Sequence, residues 1–184
     1  MVFFRAVLSP ALITIAANLK RPEAWLGTLI VLGFASDVFD GILARHWRTD
    51  TGALRLADSI CDDVFYVGVA VVAVQHRWFV IRPRMWLLVA VFAFEALRIL
   101  FDWVKYGRMS SYHSYAAKAW GALLASAAVT LICFNGGSAL LTVALVWGIG
   151  CNIESLTMTA LLPRWTHDVK SVAHALALRK GMLA

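Results

Sequence analysis

Six long apolar stretches make up most of this chain. An α-helix rises about 1.5 Å per residue, so roughly 20 residues cross about 30 Å of hydrocarbon. The hydrocarbon holds no water for the backbone N–H and C=O groups, so an apolar segment that crosses it forms these hydrogen bonds within its own helix. The six stretches cover residues 5–19, 25–44, 54–75, 85–104, 115–134 and 139–162, and the first is the shortest and the least certain as a membrane span. We therefore expect an all-α polytopic membrane protein with six transmembrane helices.

Composition agrees with a membrane protein of one domain. Of 184 residues 61% are apolar and only 15% charged, with a mean hydropathy of +0.74, which is more apolar than a soluble globular protein tolerates. We expect one membrane domain over residues 1–184. Residues 164–184 mix His, Lys and Arg with Val, Ala and Leu, which predicts a cytoplasmic tail that is either an amphipathic helix on the inner leaflet or a solvated end.

The distribution of positive charge predicts the orientation. With the amino terminus inside, most Lys and Arg residues, Arg5 among them, fall in cytoplasmic segments. Both termini are then cytoplasmic, in the cytoplasmic membrane. The net charge of +6 suits anionic lipid head groups and phosphate-bearing substrates. No motif indicates nucleic-acid binding.

Four carboxylates interrupt the second and third apolar stretches. Asp37 and Asp40 are three residues apart, and Asp58 and Asp62 are four apart, so each pair shares one helix face. If the two helices form a hairpin, the four side chains converge. Carboxylates are costly inside a membrane unless a cation compensates them, and oxygen ligands suit Mg²⁺ or Mn²⁺. The sequence therefore predicts a divalent-metal site.

Residues beside the carboxylates add to this site. Gly41 allows close approach to the backbone, and Arg45 can bind a phosphate through two hydrogen bonds. Asp63 points about 100° away from its neighbour Asp62, so we favour a structural contact for it over a metal ligand. Arg48, in the loop that follows, is interpreted mainly as a membrane-edge anchor.

The run Asp-Val-Phe-Asp-Gly-Ile-Leu-Ala-Arg at 37–45, followed by Asp58 and Asp62, resembles the signature D-x2-D-G-x2-A-R-x8-G-x3-D-x3-D of the class I CDP-alcohol phosphotransferase (CDP-alcohol phosphatidyltransferase) family. The Arg5-x4-Pro10 spacing resembles the start of that family's first span. One position departs, because Leu54 stands where the family has its second glycine.

The resemblance implies that an acceptor hydroxyl attacks the β-phosphoryl group of a CDP-linked lipid, usually CDP-diacylglycerol, and releases CMP. It implies metal ions on Asp37, Asp40, Asp58 and Asp62, with Asp62 also the general base. It further implies a CDP site lined by Asp40, Gly41, Ala44 and Arg45. We also expect a homodimer, embedded among membrane lipids.

A second polar stretch, residues 105–118, is expected on the same side of the membrane and is the natural acceptor site. Arg108, His113 and Lys118 could bind a phosphate on the acceptor, with Ser111 and Tyr112 donating to its hydroxyls. The alternative is an interfacial loop whose cations reach lipid head groups. Glycerol 3-phosphate is the leading acceptor, while inositol phosphate, inositol and serine remain open.

Other polar residues have structural explanations. Glu95, Arg98 and Asp102 share a face of the fourth span and are expected to form a buried ion-pair chain. Cys61, Cys133 and Cys151 are scattered and odd in number, so they are expected to be free packing residues.

Three alternatives to a phosphatidyltransferase stay open. A membrane prenyltransferase also uses carboxylates and Mg²⁺, although the Gly41-x2-Ala44-Arg45 segment is foreign to it. A cation transporter would also explain carboxylates within a membrane. An inactive CDP-binding scaffold is raised by Leu54.

Overall fold

A computed structural model describes the backbone of residues 2–47 and 52–183, and the side chains of residues 4–40 and 57–181. Within these ranges the regular structure is entirely helical, which confirms the all-α prediction. Six helices are long: α1 Val2–Asn18, α2 Glu23–Trp47, α3 Gly52–His76, α5 Met85–Tyr106, α6 Tyr115–Cys133 and α7 Ser138–Leu161. Two are short, α4 Trp78–Ile81 and α8 Val172–Leu183, and a 3₁₀ turn, Arg82–Arg84, follows α4. The ends of the six predicted spans lie within three residues of these long helices.

Apolar length distinguishes two of the helices. By length and composition, α6 and α7 could each cross a membrane, and α1 contains a shorter apolar segment. Helices α2, α3 and α5 carry acidic or basic side chains within their length, which lowers their hydropathy. The helix count of the prediction therefore holds, whereas six membrane crossings are not established by these criteria among the described residues.

A first hydrophobic core joins the amino-terminal helices. It is centred on Leu12 of α1, Leu26 and Ile30 of α2, and Phe65 and Val72 of α3, all of which are at most 1% exposed. Helix α1 packs against both α2 and α3, and α2 packs in turn against α6. The two helices that carry the aspartates are thus held side by side by α1.

Helix α1 approaches α3 very closely at one point. A Cβ added to Gly68 would lie 2.2 Å from Ser9 Oγ and 3.1 Å from the backbone Cα of Ser9, so only glycine fits there without movement. Arg5 lies one helical turn before Ser9. The close approach of α1 to α3 therefore brings the Arg5 side chain within reach of α3.

The carboxy-terminal segment packs against the rest of the protein. Val169 and Ala175 are fully buried with Tyr112, Met158 and Leu162 in a third core. The tail is helical from Val172 and packs on α7. Its position on the inner leaflet stays a prediction. A second core joins α5, α6 and α7.

The three cysteines are free, as predicted. Cys61 and Cys151 are buried, and the Cys133 thiol donates to the carbonyl oxygen of Glu23 at 3.2 Å. These cysteines are packing residues of the helices.

Candidate active site

Aspartates from α2 and α3 converge. Asp37, Asp58 and Asp62 each offer a carboxylate oxygen, and these three oxygens lie within 4.8 Å of one another. Their side chains are 44%, 15% and 27% exposed, so the cluster is open on one side. The i, i+4 spacing on α3 and the contact of α2 with α1 put the two helix faces opposite each other.

Arg5 of α1 lies in the middle of this cluster. Its Nη1 donates to Asp37 Oδ1 at 2.9 Å and to Asp62 Oδ1, and its Nη2 donates to Asp58 Oδ1. Nη2 is also 3.6 Å from Asp40 Oδ2. One guanidinium therefore forms ion pairs with all four predicted carboxylates and ties α1 to α2 and α3.

The position of Arg5 gives it a role that the sequence did not predict. Its side chain is only 1% exposed, so Arg5 is an ion-paired residue of the site and not a free surface cation. An arginine inside an apolar helix is stable only with anionic partners, and the nearest carboxylates supply them. Sequence reasoning missed this role, although an arginine surrounded by Phe, Val and Leu was a visible signal.

The carboxylate cluster fits a divalent cation. Its ligands are exclusively carboxylate oxygens, the donor set that Mg²⁺ and Mn²⁺ prefer. Asp40 Oδ2 is buried and, among the described residues, accepts no hydrogen bond, so it keeps a lone pair for a cation. This donor set accepts either Mg²⁺ or Mn²⁺.

Several predicted site residues lie in the part of the chain whose side chains are not described. They are Gly41, Ala44, Arg45, Arg48 and Leu54. The backbone of α2 continues through Gly41, Ala44 and Arg45. Asp63, which we expected to take no part in the metal site, is exposed and is not among the three aspartates that converge.

The predicted ion-pair chain on α5 is confirmed. Arg98 Nε donates to Glu95 Oε1 at 3.1 Å, and Arg98 Nη1 donates to Asp102 Oδ2 at 3.1 Å. Asp102 is fully buried and also accepts from Thr159 Oγ1 of α7 at 2.7 Å and from the Ser110 amide at 3.0 Å. The chain therefore ends in a carboxylate that fastens the loop after α5 to α7.

The loop of residues 107–114 lies beside the aspartate cluster. Ser111 Oγ and Ser59 Oγ are 2.8 Å apart, and Ser59 directly follows Asp58 on α3. Sequence spacing gave no signal for this contact, because the two serines are 52 positions apart. It brings the predicted acceptor loop against α3 at the residue that follows Asp58.

Two residues of this loop differ from their predicted role. Ser111 and Tyr112 are 3% and 5% exposed, and the Tyr112 hydroxyl pairs with Thr159 Oγ1 at 2.8 Å. Burial raises the pKa of the Tyr112 hydroxyl, so it stays protonated. Both side chains therefore hold the loop, because they are too buried to donate to an acceptor molecule.

The carboxy-terminal segment holds the same loop from outside. Trp165 Nε1 donates to the Met109 carbonyl at 3.0 Å, and the Asp168 amide donates to the Ser111 carbonyl at 3.1 Å. The Arg108 guanidinium stacks over the Trp165 ring at 4.3 Å. The carboxy-terminal segment therefore packs against the loop and restrains it.

The three predicted acceptor-binding residues lie along this loop and the start of α6. Arg108 and Lys118 are exposed, and neither forms an ion pair with an aspartate among the described residues. His113 is half-buried with a left-handed backbone, φ +50°. All three are near the Ser111 contact in sequence, and their role in acceptor binding stays a prediction.

Glu154 and Asn152 of α7 form hydrogen bonds to groups outside that helix. Ser114 Oγ donates to Glu154 Oε2 at 2.9 Å, and Asn152 Nδ2 donates to the Val91 carbonyl at 3.3 Å. Ser114 also caps α6 by accepting from the Ala117 amide at 3.2 Å. The end of the loop is thereby fixed to both α6 and α7.

Comparison with known proteins agrees with the sequence motif. The sequence model of the CDP-alcohol phosphatidyltransferase family matches residues 1–153. The chain belongs to this family. No solved structure matches it significantly.

Similar curated proteins carry one name. A protein named CDP-diacylglycerol–glycerol-3-phosphate 3-phosphatidyltransferase from Pectobacterium atrosepticum is 30% identical over 181 residues, which cover 90% of this chain and 87% of that protein. Proteins of the same name from Salmonella choleraesuis and Yersinia pestis are each 31% identical over 119 residues. In these two the match covers 60% of this chain and 62% of the relative's length.

Proposed function

We propose that this protein transfers a phosphatidyl group from CDP-diacylglycerol to glycerol 3-phosphate and releases CMP. The observation that carries the proposal is the convergence of Asp37, Asp58 and Asp62 in a chain of the CDP-alcohol phosphatidyltransferase family. The donor and acceptor are taken from the name shared by the similar proteins. Because Leu54 replaces the second glycine of the motif, the test must measure turnover as well as binding.

The proposed reaction is a displacement at phosphorus. The acceptor hydroxyl oxygen forms a bond to the β-phosphorus, the bond from that phosphorus to the bridging oxygen breaks, and CMP leaves with the electron pair. Asp62 receives the hydroxyl proton. Its carboxylate is 27% exposed, so an acceptor can reach it, and the hydroxyl must be held against it for the transfer to be efficient.

The remaining site roles follow the motif. Asp40, Gly41, Ala44 and Arg45 line the CDP moiety, while Asp37, Asp40, Asp58 and Asp62 hold Mg²⁺ or Mn²⁺. When bound, the cation offsets the negative charge of the diphosphate as it develops on the leaving group. The two faces of the α2–α3 pair orient these carboxylates, and α1 keeps the pair together.

The acceptor is proposed to bind between the cluster and the loop of residues 107–114. The Ser59–Ser111 contact supports this position because it holds the loop against α3 at the residue next to Asp58. Arg108, His113 and Lys118 are the cations proposed to bind the acceptor phosphate. Arg108 would have to turn away from Trp165, a move that an exposed side chain can make.

The protein is proposed to act as a single integral domain of the cytoplasmic membrane, with six membrane-spanning helices, both termini cytoplasmic, and two copies per assembly. Large apolar side chains that point outward support the membrane location, since a soluble surface rarely tolerates so many. The most exposed include Phe79 at 88%, Val104 at 76%, Phe134 at 75%, Trp86 at 69% and Val7 at 65%.

The direct test uses purified protein in detergent with CDP-diacylglycerol, Mg²⁺ or Mn²⁺, and glycerol 3-phosphate, inositol phosphate, inositol or serine. We expect CMP and phosphatidylglycerophosphate in equal amounts with glycerol 3-phosphate, and neither product from Asp62→Asn. CDP-lipid binding without CMP release from any acceptor would contradict the proposal and indicate a scaffold. Metal flux in sealed vesicles would indicate a cation transporter, and turnover of a prenyl diphosphate would indicate a prenyltransferase.

A further inference from the structure

The carboxylates already hold a cation that belongs to the protein. Arg5 donates to Asp37, Asp58 and Asp62, the same three residues whose oxygens converge, and contacts Asp40. A guanidinium offers a planar fork of donors that one ammonium group cannot match, and this fork lets one side chain contact several carboxylates together.

We infer that Arg5 is a positioning residue that gathers the four carboxylates around its own charge and competes with the divalent cation for them. The inference rests on the proposed function, because it requires that this cluster bind the metal. Arg5 offsets one negative charge and keeps neighbouring carboxylates from repelling one another. A divalent cation that enters must take carboxylate oxygens from the guanidinium and tolerate its positive charge nearby.

The way Arg5 is held supports this exchange. Its Nε is buried and, within the described part of the chain, donates no hydrogen bond, so only the carboxylates grip the head of the side chain. When a metal ion draws those carboxylates to itself, no backbone carbonyl among the described contacts holds the guanidinium in place. The helix that carries it stays fixed, because Gly68 and Ser9 pack α1 tightly on α3.

The charge arithmetic gives the direction of the effect. Two positive centres a few Å apart repel each other strongly even at an effective dielectric constant of about 20. This repulsion is large enough to change the metal-binding constant by more than tenfold. Removing the charge of Arg5 should therefore tighten metal binding, although it removes the ion pairs that gather the aspartates. A residue that merely supported the fold would give the opposite sign, since loosening the ligands weakens binding.

The test compares wild type, Arg5→Gln and Arg5→Lys in detergent. Mn²⁺ binding is followed by electron paramagnetic resonance, and thermal unfolding is followed in EDTA and at saturating Mn²⁺. We expect Arg5→Gln to bind Mn²⁺ about tenfold more tightly than wild type. We expect it to unfold at a lower temperature in EDTA, with the deficit lost at saturating Mn²⁺. Arg5→Lys keeps the charge and should stay within about threefold of wild type in Mn²⁺ affinity.

Each result is decisive. If wild type binds Mn²⁺ and Arg5→Gln binds it equally or more weakly, the inference is overturned and the metal site stands. If no variant, wild type included, binds Mn²⁺, the proposed metal site fails and the inference fails with it.

A second measurement covers the case in which Arg5→Gln does not fold. In ¹⁵N-labelled wild type, the guanidinium resonances of Arg5, assigned by their loss in Arg5→Lys, should shift on saturation with Mg²⁺. Unchanged resonances at saturating Mg²⁺ would overturn the exchange.

Discussion

Replacing Asp102 with asparagine should destabilise the protein far more than the matched replacement of Glu95 with glutamine. Both carboxylates pair with Arg98, and both changes remove one negative charge at nearly constant shape. They differ in burial, because the Asp102 side chain is 0% exposed whereas that of Glu95 is 22% exposed. The comparison therefore measures how much more the buried carboxylate, with all its donors, contributes than the partly exposed one.

The magnitude follows from what Asp102 holds. Its carboxylate accepts from Arg98, from the amide and hydroxyl of Ser110, and from Thr159. Breaking a buried ion pair by removing one partner costs about 3–5 kcal/mol, and the remaining Glu95 lowers this to about 2–4 kcal/mol. For Glu95→Gln, water can replace part of the interaction, so we expect at most about 1 kcal/mol.

Thermal unfolding in one detergent, followed by circular dichroism, measures both variants. For a chain of this size, about 2–4 kcal/mol corresponds to roughly 5–15 °C for Asp102→Asn. Because Asp102 also fastens the acceptor loop through Ser110, the KM for glycerol 3-phosphate should rise more than the KM for CDP-diacylglycerol. Equal losses of stability in the two variants would refute the reasoning.

Three further outcomes are expected. Asp62→Asn should abolish CMP release while its CDP-lipid affinity stays within about tenfold of wild type. The neighbouring variant Asp63→Asn should retain turnover, and CMP release by Asp62→Asn would contradict the assignment of Asp62 as general base. Gly68→Ala should cost about 1–2 kcal/mol in thermal unfolding, because its Cβ meets a backbone atom of α1, whereas Gly150→Ala, with nothing within 4 Å, should be neutral or slightly stabilising. His113→Ala should change the affinity or preference for acceptors in the acceptor panel, and an unchanged profile would return the loop to a structural role.

The sequence was sufficient for the helices and for the convergence of the aspartates. Apolar runs locate long helices because burial in a continuous apolar environment requires them, and the three- and four-residue spacings put each pair of aspartates on one face. The short helix α4 and the following turn, Trp78–Arg84, lie between the third and fourth apolar stretches, where the sequence predicted no helix. One helical turn carries too little periodicity to be recognised.

The contacts that shape the site could not be predicted from spacing. The Ser59–Ser111 pair, the fastening of Ser110 to Asp102 and the packing of the tail on Tyr112 all join residues that are distant in sequence or ordinary in type. Arg5 was counted with the cytoplasmic cations because positive charge usually marks that side. Its ion pairs follow from a second rule, that a charge within an apolar helix needs an oppositely charged partner.

The account depends on the binding of a divalent cation by the aspartates of α2 and α3. Anomalous diffraction from crystals of the wild-type protein soaked in Mn²⁺ tests it most directly. We predict Mn²⁺ density among Asp37, Asp58 and Asp62, with carboxylate oxygens at about 2 Å, and none in crystals of Asp58→Ala. Density elsewhere in the molecule, or none among these carboxylates at saturating Mn²⁺, would contradict the central claim.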